Sequence, residues 1–148
     1  MSGLEHLLPS TIHPMVVHFT IAIAYLAGAA GLVGGVRQTS FWSRAFLYLL
    51  LLGILATASA AVAGVVSESY LARIPAPVAP LLHTHKEYGL FTGAFQVIAT
   101  ALQLAWGTRR SRVSWLAVVC AVIACVFVTM AGHLGGTMVY HYGLGVRA

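Results

Sequence analysis

Seven histidines carry most of the chemistry available to this chain: His6, His13, His18, His83, His85, His133 and His141. Imidazole ligates transition metals and haem iron and titrates near neutral pH. Spacing restricts how they act together. His13 and His18 are five residues apart, about 7.5 Å of rise and roughly 140° of rotation on a helix. They therefore cannot chelate one ion as an i, i+4 pair would. In "HTHKE", His83, His85 and Glu87 stand at alternating positions, and Glu5 and His6 can approach them from the N-terminus. Cys120 and Cys125 lie in an apolar run with neither C-x-x-C nor C-x-x-C-H spacing. That excludes a thioredoxin-like motif and covalent c-type haem attachment, and the two thiols read as small apolar core groups. The chain holds no P-loop, G-x-S-x-G, H-E-x-x-H or paired intramembrane carboxylates, so hydrolase and nucleotide chemistry has no support.

The elements that must position these histidines are made for oil. The chain is 59% hydrophobic and 7% charged, whereas a soluble domain carries about 25% charged residues. Lipid must be the solvent. The 148 residues suit a single domain, residues 1–148. About 20 apolar residues span a bilayer, and four segments qualify, about 14–36, 42–66, 86–107 and 113–134. The first is expected to be a retained transmembrane helix, because it is longer than a signal-peptide core and lacks a basic leader. "GGVRQTS" ends it, "RIPAPVAP" separates the second and third, and "GTRRSRVS" separates the third and fourth. Short first and third connections predict two antiparallel hairpins. The expected fold is all-α, an integral membrane four-helix bundle with both termini on the outer side. Gly28, Gly31 and Gly35 permit close contact along the first helix.

Basic residues orient the bundle. Arg37, Arg44, Arg109, Arg110 and Arg112 fall in the two tight connections with no acid among them, while Glu5, Glu68 and Glu87 lie on the opposite side with Arg73, Lys86 and Arg147. The positive-inside rule places the arginine-rich connections in the cytoplasm. The net charge of +5 thus reports orientation and not a nucleic-acid surface. Trp42, Trp106 and Trp115 fall near the same interface as anchors, and Tyr88 and Tyr140 near the opposite one.

Threaded this way, all seven histidines fall at one end, from helices 1, 3 and 4 and the flanking segments. Polar groups at membrane depth are costly unless paired, so such a layer points to a site. His18 on helix 1 facing His133 on helix 4 across a planar tetrapyrrole is a haem b arrangement, and the shallower His13, His85 and His141 can complete a second centre. Zinc or copper is the competing occupant, with His18, His85 and His133 as the leading metal ligands and His13, His141 and His83 behind them.

"HPMVVHFTIAI" resembles the opening motif of the bacterial membrane family DUF2231, HP-x-x-VHFPIA. "GHLGGTMVYHYGLGV" is similar to its GG-x-x-VY-x-HG-x-GV tail, and "HKEYG" to its third-helix histidine with a glycine four residues on. The resemblance covers nearly the whole chain and puts His13, His18, His85, His133 and His141 at family-like positions, with His6 and His83 as extras. Thr20 stands where the family commonly has proline, and Tyr142 separates His141 from Gly143. The resemblance implies a four-helix domain of the bacterial inner membrane. Relatives joined to Rieske iron–sulfur or cytochrome c modules imply a redox setting, and this chain carries no such module.

The expected function is that of a membrane cytochrome b-like electron-transfer protein with one or two non-covalent haems bound by His13, His18, His85, His133 and His141. A quinol donor and an outward redox partner such as a cytochrome c or iron–sulfur protein would complete it, with Arg73, Lys86 and Arg147 placed to meet haem propionates. Two alternatives stand beside it: a zinc- or copper-binding membrane protein, and an accessory subunit of a respiratory or photosynthetic complex.

Overall fold

The computed structural model describes residues 11–71 and 73–145. Its four long helices are α1 (Ile12–Arg37), α2 (Ser40–Ser69), α3 (Ala79–Leu102) and α4 (Trp115–Tyr140), all long and apolar enough to cross a membrane. Two pairs pack most extensively, α1 with α2 and α3 with α4. The hairpins then join through α1–α4 and α2–α3, leaving α1 and α3 on a diagonal. The result is an up-and-down four-helix bundle with a histidine end and an arginine end.

Small residues let the helices close. The core joins Ala27 of α1, Phe46 and Leu50 of α2, Ala99 of α3, and Ala117, Val118 and Ala121 of α4. Between apolar helices in lipid, packing takes over from the hydrophobic effect, so close approach is what stabilises the contact. All three glycines singled out in helix 1 serve this purpose: Gly28 faces Cys125 Sγ, Gly31 the Phe46 ring and Gly35 the Trp115 ring. Cys120 and Cys125 are free thiols, and Cys125 Sγ donates to the Ala24 carbonyl at 3.3 Å. Thr20 is buried, and its hydroxyl donates to the Ala56 carbonyl of α2 at 3.0 Å. α1 is continuous through this position.

Helix ends differ from expectation in two places. α3 begins at Ala79 instead of near 86, because Pro80 sits in its first turn, where a missing N–H costs nothing. α4 runs on to Tyr140 instead of stopping near 134, carrying Gly135 and Gly136 inside the helix. Both extensions lengthen the histidine end.

At the arginine end two glutamines tie the hairpins together. Gln38 terminates α1 in the left-handed region (φ 49), where glycine is usual. Its amide repays the strain by donating to the Gly35 and Val113 carbonyls and accepting from Val113 N. Gln103 is fully buried where α3 widens into a π-turn, Gln103–Gly107. Its amide lies in the space a side chain at Gly107 would need. It donates to Ser43 Oγ and the Arg112 carbonyl and accepts from Ser114 N at 2.9 Å.

Candidate functional site

His13 lies in the first turn of α1, where backbone N–H groups lack helical partners. Thr11 offers no side-chain cap, and Ser67 Oγ of α2 accepts from His13 N at 3.3 Å instead. The ring turns inward, and Nδ1 bonds the Ala60 carbonyl of α2 at 2.8 Å. His85 does the same from the diagonal helix: its Nδ1 bonds the Ala131 carbonyl of α4 at 2.8 Å. A carbonyl only accepts, so each Nδ1 carries a proton, and in the neutral ring Nε2 keeps its lone pair. The two ring centroids are 5.8 Å apart with an interplanar angle of 84°.

Gly64 leaves room for the first ring: a Cβ there would fall 3.2 Å from His13 Nδ1, whereas one at Gly135 would meet His85 Cε1 at an ordinary 3.4 Å. All four helices therefore build the pair: α1 and α3 supply the rings, α2 and α4 the orienting carbonyls, and α2 the recess at Gly64. Histidines that bind metals commonly donate their second ring nitrogen to a carbonyl in this way, which fixes the tautomer and raises ligand basicity.

The other predicted residues lie elsewhere. His18 is exposed, and its Nδ1 turns back to the Pro14 carbonyl of its own helix. His133 is exposed on α4, lining with His141, Tyr140, Thr137, Gly132 and Gly136 an open groove of about 470 Å³. Among the described residues, His18 and His133 share no direct ring contact or hydrogen bond. The two histidine rings in direct contact are those of His13 and His85. His141 is exposed and stacks edge-on with Tyr142. His83 is exposed and stands 3.6 Å from Glu87. The alternation in "HTHKE" misleads because positions two apart on a helix are about 200° apart, so His83 and Glu87 face out while His85 faces in. Lys86, proposed to meet a propionate, pairs with Glu68 of α2 at 2.6 Å. His6, Glu5 and Arg147 lie outside the described residues.

Among the described residues no three His, Cys, Asp or Glu side chains come together. Zinc sites take three or four protein ligands, which the pair does not supply. Haem iron takes four nitrogens from its porphyrin and at most two from the protein.

Sequence reasoning set α2 aside because it holds no histidine. Its contribution runs through a backbone carbonyl, Ala60, and an absent side chain, Gly64. Only the glycine, one turn from the helix end in "AVAGVVSES", left a trace in the sequence.

The family model of DUF2231, described as a predicted membrane protein, matches residues 9–148, so the chain belongs to that family. It is a multi-pass membrane protein. No curated protein and no solved structure gives a significant match.

Proposed function

We propose that this DUF2231 protein is a membrane-embedded electron-transfer protein whose His13–His85 pair holds one haem b at the histidine end of the bundle. The observation that carries the reading is the matched pair of Nδ1–carbonyl bonds on diagonal helices, which in the neutral rings leaves Nε2 able to ligate. One haem is proposed, at the one pair of histidine rings in direct contact among the described residues. A bound haem would supply a one-electron couple. The chain's own residues fix both ligands and hold their basicity through the Ala60 and Ala131 carbonyls.

The positive-inside rule turns the histidine end outward. A donor dissolved in the membrane, such as a quinol, and an outward cytochrome c or iron–sulfur protein fit this placement. A second reading is copper held by the same two nitrogens, since imidazole suits copper and both rings are closely packed. An absorption spectrum and metal analysis of protein purified from haem-replete cells test both. A b-type spectrum with one iron per chain supports the first reading. A colourless protein with stoichiometric copper supports the second, and a protein with neither metal overturns both.

A further inference from the structure

The arginine end holds a second constellation, independent of the histidines. Arg37, Arg44, Arg109, Arg110 and Arg112 are all exposed, and none of their guanidinium groups has a carboxylate or other partner among the described residues. Two of them sit at linked positions of the backbone. Arg37 and Arg112 are the chain neighbours of Gln38 and Val113, which the Gln38 amide joins through the Val113 carbonyl at 3.2 Å and the Val113 amide at 3.0 Å. The Arg112 carbonyl is fixed in turn by the buried Gln103 amide at 2.9 Å. Gathering five cations on one rim without carboxylates costs free energy unless anions neutralise them. Orientation in the membrane needs positive charge in these loops, but not a rigid clamp between two of them.

We propose that Arg37 and Arg112 seat the phosphates of an anionic phospholipid, with Arg44, Arg109 and Arg110 around them. Three features favour lipid as the phosphate source. The arginines flank membrane-spanning helices. Trp115, an amphipathic ring half-exposed at 52%, lies across Gly35 just inside Arg37, where a headgroup-level aromatic belongs. The concentration of cationic charge on one rim matches a headgroup with two phosphates, as in diphosphatidylglycerol.

Native mass spectrometry of the full chain in detergent, titrated with diphosphatidylglycerol, phosphatidylglycerol or phosphatidylcholine, tests the proposal. Wild type is expected to retain one diphosphatidylglycerol in preference to the other lipids. Arg37→Gln/Arg112→Gln should weaken that binding roughly thirtyfold, since each basic group near a lipid surface is worth about a factor of five. Arg73→Gln, at the histidine end, should leave it unchanged. Gln38→Ala keeps every charge but releases the clamp, and should weaken binding severalfold. Equal binding of diphosphatidylglycerol and phosphatidylcholine, or full binding by the double variant, would overturn the proposal. So would competition by inorganic phosphate at equal concentration, which would make the site one for free anion. If the double variant does not purify, the single variants replace it, each with an expected fivefold loss.

Discussion

The rings of His13 and His85 stand 5.8 Å apart and 84° to one another, each tied through Nδ1 to the carbonyl of a neighbouring helix. The ties set ring orientation before any ligand arrives. With a ferric haem bound, nearly perpendicular imidazole planes should give a low-spin electron paramagnetic resonance signal of the highly anisotropic, large-g type. A rhombic signal of the kind given by parallel rings would show that the carbonyl ties do not hold the rings in place.

Gly64 is the tightest support of His13. In Gly64→Ala the new methyl meets the His13 ring at 3.2–3.3 Å, and the ring must shift. Its bond to Ala60 should lengthen, with a changed reduction potential or lowered cofactor occupancy and a loss of about 1–2 kcal/mol. Gly89→Ala, with nothing within 4 Å of the added carbon, should leave the spectrum intact and raise stability by up to about 1 kcal/mol. Redox titration and thermal unfolding of both variants check the contrast.

Gln103→Ala should be among the most damaging polar substitutions in the chain. It strands the Ser114 N–H and the Arg112 carbonyl and leaves a void where the amide was buried. A loss of about 2–4 kcal/mol is expected, read as a large drop in thermal stability in detergent. Glu68→Gln removes only a partly exposed pair with Lys86, and its cost should stay below about 1 kcal/mol.

Gly31→Ala probes the α1–α2 seam. Its methyl would lie 2.8 Å from the Phe46 ring, which is itself fully buried. The ring has nowhere to retreat, so about 1–3 kcal/mol should be lost. Phe46→Leu in the same chain makes room, and a double-mutant cycle should return part of that loss.

Much of the fold was legible in the sequence because hydropathy, prolines and arginines mark helices and loops without any knowledge of contacts. The site was legible only at coarse grain. The histidines could be assigned to one end from helix threading alone. Their pairing could not, because helix geometry puts His18 and Thr20 on opposite faces without saying which face is buried, and only packing decides that. Counting depth favoured His18 with His133, whereas the inward rotation of α1 and the early start of α3 at Ala79 bring His13 to His85. The backbone groups that orient the rings, Ala60 and Ala131, carry no signature in a sequence at all.

The central claim is that His13 and His85 together hold the cofactor. A reduced-minus-oxidised absorption spectrum of wild type beside His13→Ala, His85→Ala, His18→Ala and His133→Ala tests it most directly. The account predicts a b-type band in wild type, its loss in His13→Ala and His85→Ala, and its retention in His18→Ala and His133→Ala. A full-strength band in His13→Ala or His85→Ala, or its loss only in His18→Ala and His133→Ala, would contradict it.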